Sequence, residues 1–206
     1  MFSDALPLAE RFASLLATDG VVRGLIGPRE VPRLWERHLV NCALLGLGIP
    51  RDVTVADVGS GAGLPGLVLA IRRPDLRVTL VEPLLRRTTF LTEAVEQLAL
   101  ANVEVVRDRA EALHGHRSFD VVASRAVAPL DRLARWCLPL VAPGGRMLAM
   151  KGSSAADEVA QFAGVIHRLG GRGVTVERYG AHLAERVEGA PITVVEIAVP
   201  ATSGRA

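Results

Sequence analysis

The residues with the clearest chemical potential are a glycine-rich run from Asp57 to Gly66, DVGSGAGLPG, which ends one apolar stretch and opens another. Glycines at such a junction let the backbone turn sharply and let a ligand approach the main chain, with a helix N-terminus close by. Two ligand classes fit this pattern. Gly61, Gly63 and Gly66 spell GxGxxG, the dinucleotide fingerprint. Asp57, however, stands two residues ahead of Gly59, where it would repel a pyrophosphate but hydrogen-bond the ammonium end of S-adenosylmethionine, directly or through water. Glu82 ends the next apolar run and places a carboxylate where ribose hydroxyls are held, a feature both classes share. The loop points first to S-adenosylmethionine, then to a dinucleotide, then to a purely structural turn.

The other candidates are single residues with two readings each. His38 shares a helical face with Leu34, Asn41 and Leu45. It reads as a half-buried histidine hydrogen-bonded where the N-terminal segment meets the sheet or, with Arg37 and Asn41, as part of a crevice wall. Arg125 follows the fourth apolar run and either faces the reaction crevice or bridges to Asp57 or Asp120. Glu111 is a ligand-binding carboxylate or a solvated acid at a helix start. Trp35 reads as core or interface. Arg72, Arg73, Arg86, Arg87, Arg107 and Arg109 form a phosphate-binding rim or are ordinary exposed arginines at element ends.

The elements that position these residues follow from periodicity. Apolar runs at 53–57, 78–82, 103–107, 119–124 and 146–151 have strand length and alternate with helical patterns, the signature of parallel βαβ units. Helices are expected over 88–100, 130–138 and 155–169. Two further runs, 174–180 and 192–199, have no helix between them and should pair antiparallel. The N-terminal ~50 residues show helical periodicity over 6–16 and 31–45, broken by GLIGP, and form a cap over the sheet or an interaction arm. The expected organisation is a single compact unit: cap 1–50, α/β domain 51–200 and a frayed tail 201–206.

Composition bounds the function classes. With 206 residues, half of them apolar, the chain is long enough for one good core. Its formal charge is only +2, and Lys151 is the sole lysine. Every other formal cation is an arginine, whose planar fork suits phosphate and guanine edges. Cys42 and Cys137 lie in apolar surroundings, with no CxxC and no histidine cluster at ligand spacing, so they read as core and no metal is expected. The start, MFSDALPLAERF, lacks the features of a secretory signal, and no run approaches the ~20 apolar residues of a membrane helix. A cytoplasmic, reduced, monomeric protein is the expectation.

Six words in order, ERHLVNC (36–42), DVGSGAGLPG (57–66), VEPLLRRTTFL (81–91), RAEAL (109–113), SRAVAPL (124–130) and MKG (150–152), resemble one family and span most of the chain. It is the bacterial small-subunit ribosomal RNA methyltransferase G family, also called glucose-inhibited division protein B. The resemblance implies a Rossmann-like class I S-adenosylmethionine-dependent methyltransferase with a mostly parallel seven-stranded sheet, an antiparallel C-terminal strand and an N-terminal helical cap. It implies methylation at N7 of a guanine in 16S rRNA, with the rRNA or a small ribosomal subunit precursor as partner. It also implies that Gly59, Leu64, Ala110, Glu111 and Arg125 contact the donor, beside Asp57, Gly61 and Glu82 from the loop reading. Arg125, Lys151 and His38 would position the target, since N7 offers a free lone pair and needs no general base. Asn41 and Cys42 depart from the family word, which usually continues with Asp and Ser, so no role resting on that carboxylate carries over.

Overall fold

In the computed structural model, which describes residues 1–125 and 128–201, seven apolar segments pair into one sheet. These are β1 (Thr54–Val58), β2 (Arg77–Val81), β3 (Val103–Val106), β4 (Phe119–Arg125), β5 (Val141–Lys151), β6 (Arg172–Tyr179) and β7 (Ile192–Ala198). The order is β3-β2-β1-β4-β5-β7-β6. β1 to β5 run parallel, while β7 lies antiparallel between β5 and β6. The expected antiparallel pairing of the last two strands is present. Its further consequence is that β6 becomes an edge strand and the ends of β5 and β6 lie along one border with the start of β7.

Alternation along the strands divides the core in two, because successive side chains point to opposite faces. Val55, Val121, Ala123, Leu148 and Val194 face α3 (Gly66–Arg72), α4 (Leu85–Gln97) and the N-terminal segment. Val58, Val122, Met147 and Val195 face α5 (Leu130–Cys137) and α6 (Ala155–Arg168). The N-terminal segment shares the first cluster through Phe12, Leu16, Leu39, Leu44 and Leu45. Each fully buried side chain of this size contributes about 2 kcal/mol, so apolar burial rather than ion pairing holds the cap on. Arg72 and Arg73 add polar stitches, donating to the carbonyls of Ala43 (2.9 Å) and Ile49 (3.0 Å). They are thereby committed to the cap and not to a phosphate rim.

The cap's first helix, α1 (Leu6–Leu15), forms as expected, but the second is not one regular helix. Residues 28–33 make a 3-10 turn, 34–39 a wider π-type turn, and only α2 (Val40–Leu45) is α-helical. Pro32 lies inside this stretch, lacks an N–H and restricts Val31, which delays regular helix formation. β5 begins five residues before its expected start, at Val141 rather than residue 146, with its register shifted opposite Phe119 and Val121. Gly145 allows that approach: a Cβ there would stand 2.5 Å from the Asp120 carbonyl oxygen. Beyond residue 201 the expected tail lies outside the described residues, as do positions 126 and 127 of the word SRAVAPL.

Candidate active site

In open α/β sheets ligands bind in the crevice outside the carboxyl ends of the strands. β1 delivers the glycine loop to that edge, and two features set its shape. Gly61 has φ +54, and from this left-handed conformation its N–H donates to Glu82 Oε2 at 3.0 Å. Gly66 opens α3 so close to the sheet that a Cβ would stand 2.2 Å from Leu80 Cδ2 and 2.7 Å from Asp57 Oδ2. The Asp57 carboxylate occupies that gap, accepting the Gly66 N–H at 2.9 Å. Asp57 is fully buried and its Oδ1 has no hydrogen-bond partner. Burial pushes its carboxyl up to about 7, against the pull of the Gly66 N–H.

Glu82 immediately follows β2, and its carboxylate is also nearly buried. It accepts from the N–H groups of Gly61 and Leu84 (3.1 Å) and from Arg87 Nη1 (3.4 Å). A carboxylate has about four acceptor positions, so capacity for a ligand hydroxyl remains. Beside it opens a cavity of about 400 Å³, lined by Gly59, Glu82, Ala110 and Glu111 together with Arg87, Asp108, Arg109, Leu84 and Trp136. Its volume falls within the usual range for small-molecule sites. Its donor set tests the two ligand classes: three carboxylates face two arginines, and Arg87 is already paired with Glu82. That balance suits a nucleoside carrying positive charge and disfavours a pyrophosphate.

A second cavity of about 530 Å³ lies along the same edge, where β4, β5, β6 and β7 meet. Arg125, Lys151 and Arg178 line it with Asn41, Glu158 and Thr193. Lys151 is largely buried, paired with Glu158 Oε2 at 2.7 Å and donating to the Ala128 carbonyl at 3.1 Å. Glu158 also accepts the Leu130 N–H at 2.8 Å, which ties the start of α5 to α6. Arg125 donates to His38 Nδ1 at 2.6 Å. It pairs with neither Asp57 nor Asp120; the latter accepts instead from the Thr54 N–H and hydroxyl. A larger hollow of about 590 Å³ sits at the opposite strand edge, where Arg117 is already bound to Glu104.

A family model for the rRNA small subunit methyltransferase G matches residues 5–185. The chain belongs to the ribosomal RNA small subunit methyltransferase G family. A family member from Salinispora arenicola is 62% identical over 204 residues, covering 96% of this chain and 83% of that protein. One from a Nocardioides species is 66% identical over 181 residues, covering 88% and 72%. Among solved structures, an O-methyltransferase family protein from Burkholderia thailandensis superposes with TM-score 0.59 at 17% identity, covering 94% of this chain and 63% of that one. Precorrin-6y C5,15-methyltransferase from Geobacter metallireducens gives 0.54 at 16% identity, covering 85% and 90%. These likenesses establish the class I methyltransferase fold, and family membership makes the protein a methyltransferase.

Within this family fold the expected site residues fall into three groups. Gly59, Glu82, Ala110 and Glu111 line the first cavity. Arg125 and Lys151 line the second, with His38 directly behind Arg125. Asp57, Gly61 and Leu64 line neither: Asp57 is buried beneath the loop, Leu64 of the loop packs into the first core cluster, and Gly61 contributes through its N–H to Glu82. Sequence reasoning missed Trp136 on the first cavity and Glu158 and Arg178 on the second. Trp136 sits between core residues of an amphipathic helix, which disguises it, while Glu158 carried the signal of an acid in the first turn of α6. Among the described residues no cluster of three His, Cys, Asp or Glu side chains could hold a metal ion, and no helix is long and apolar enough to cross a membrane.

Proposed function

We propose that this protein transfers a methyl group from S-adenosylmethionine to N7 of a guanine in 16S rRNA. The substrate is the rRNA or a small-subunit precursor, and the protein acts as a cytoplasmic monomer. The observation that carries the reading is the adjacency of two unlike cavities at one strand edge, an acidic one beside the glycine loop and one bearing Arg125, Lys151 and Arg178.

The donor, when bound, supplies an electrophilic methyl on a positively charged sulfur. Glu82 accepts from the ribose hydroxyls, and the backbone at Ala110 with the Glu111 carboxylate receives the adenine edge. Leu84, Val58 and the Trp136 ring exclude water from the nucleoside. In the second cavity Arg125 and Arg178 donate to guanine O6 or to neighbouring phosphates, while Lys151, neutralised by Glu158, shapes the wall. N7 presents its lone pair in the ring plane, so no side chain need remove a proton before attack. The protein's contribution is alignment, which can be worth about 7–11 kcal/mol.

The test is to incubate the purified protein with isotopically labelled donor and small subunits or naked rRNA from a strain lacking the enzyme, and then to map the label. One N7-methylguanine in 16S rRNA is expected. Label that appears in no RNA, or that survives RNase in protein or small molecules, overturns the reading.

A further inference from the structure

Where the cap meets the sheet edge, Glu30 and His38 of the cap meet Arg125 of β4. The Arg125 guanidinium, at the end of β4, donates from Nη2 to His38 Nδ1 at 2.6 Å and to the Arg37 carbonyl at 3.4 Å; its Nη1 reaches Cys42 Sγ at 3.4 Å. The other ring nitrogen of His38 lies 2.9 Å from Glu30 Oε2, in the 3-10 turn. A guanidinium has donors only, so Nδ1 must accept and carries no proton. Nε2 then holds the single ring proton and donates it to Glu30. The His38 side chain is only 11% exposed.

We propose that Glu30 and His38 are positioning residues for methyl transfer, holding the Arg125 guanidinium at the wall of the second cavity through a neutral imidazole, a hold that protonation of His38 breaks. The proposal rests on the reading of that cavity as the guanine site. Arg125 is the group that meets the substrate, and the other two act through it. Once Nδ1 takes a proton from solvent it has no lone pair for Arg125, and two cations abut. The charged and titratable groups around His38 are Arg125 from β4, Arg37 from its own turn and Glu30 from the preceding one, with Arg33 acting on Glu30, Cys42 against Arg125 and Asp57 on β1 within the field of Arg125. Burial and the Arg125 charge hold the His38 imidazole below its ordinary range, and Glu30 opposes them.

Nitrogen NMR of the wild-type protein reads the relay without turnover. The Nε2–H tautomer is expected for His38, with a titration midpoint that rises in R125Q and falls in E30Q; an Nδ1–H tautomer overturns the proposal. Kinetics read its consequence. Wild-type rRNA methylation should drop several-fold from pH 8 to pH 5 as the imidazole charges, with a midpoint below the ordinary histidine range. H38N offers an amide oxygen to Arg125 but cannot titrate, and it should drop less than about twofold over the same range. H38L and E30A should raise KM for rRNA several-fold more than they change donor affinity measured by calorimetry. An acid limb in H38N equal to that of the wild type overturns the proposal. If no RNA is methylated at any pH while the tautomer and the two midpoint shifts are as expected, the guanine-transfer reading has failed and the coupling of the three residues stands.

Discussion

Around the first cavity the polar groups come from the ends of β1, β2 and β3 and the segments that follow them, in chain order, with α4 adding Arg87 and α5 adding Trp136. The second cavity takes Asn41 from the cap, Arg125 from β4, Lys151 from β5, Arg178 from β6 and Thr193 from β7. On the proposed donor side Glu82 is held by the N–H groups of Gly61 and Leu84 in adjacent turns. On the proposed acceptor side two of the three cations are held by partners from other elements, Arg125 by His38 and Lys151 by Glu158. By this difference the first site is expected to be inseparable from the stability of the fold, whereas the second is expected to be adjustable at its rim.

The largest expected effect tests the donor side through Asp57. Its folded pKa is raised from 3.8 to about 7, so the stability associated with its proton is complete below about pH 4 and is lost as pH rises through 7. Asp57→Asn keeps an oxygen for the Gly66 N–H and removes that loss. Relative to the wild type it should gain nothing near pH 4 and up to about 4 kcal/mol near pH 8, read by urea unfolding at several pH values. A difference that does not change with pH would break the account of the loop. Next is Gly66→Ala, whose methyl has no room between Leu80 and Asp57. It should cost about 1–3 kcal/mol and weaken donor binding in the same calorimetric experiment.

The acceptor side should respond differently. Glu158→Ala strands the largely buried Lys151 and frees the Leu130 N–H, and should cost about 2 kcal/mol after allowance for partial solvation. Its rRNA turnover should fall more than its donor affinity, and equal losses in both would erase the distinction between the cavities. The smallest effect is expected at Arg178, which is exposed and has no ion-pair partner among the described residues. Arg178→Ala should leave unfolding within about 0.5 kcal/mol of wild type. It should weaken rRNA binding about fivefold and reduce the salt slope by about one charge. Donor binding should show no matching change with salt.

Much of this arrangement was legible in the sequence where the chemistry is local. The Asp57–Gly66 loop sits at the β1–α3 junction because its glycines suit only such a turn, and Glu82 falls at the end of β2 because apolar alternation runs out there. The direction of Asp57 was not legible. Its spacing ahead of Gly59 suggested a carboxylate facing the ligand, but the contact between Gly66 and Leu80 that leaves room for only that carboxylate beneath the loop is a matter of packing. His38 showed its half-buried face through helical periodicity, yet neither of its partners could be named. Glu30 lies in a turn that Pro32 distorts, and Arg125 is 87 residues away.

The sequence by itself determined the alternation of strands and helices and a nucleoside-like ligand at the glycine loop, because residues adjacent in the chain carry that information through periods of two and 3.6 and through turn chemistry, and its ordered words pointed to the family. Only the tertiary structure decided that β7 inserts between β5 and β6, that Lys151 is neutralised by Glu158, and that Glu30 and His38 stand behind Arg125. Those outcomes depend on which distant segments come to share one strand edge. Packing of the whole core settles that, and no local pattern encodes it.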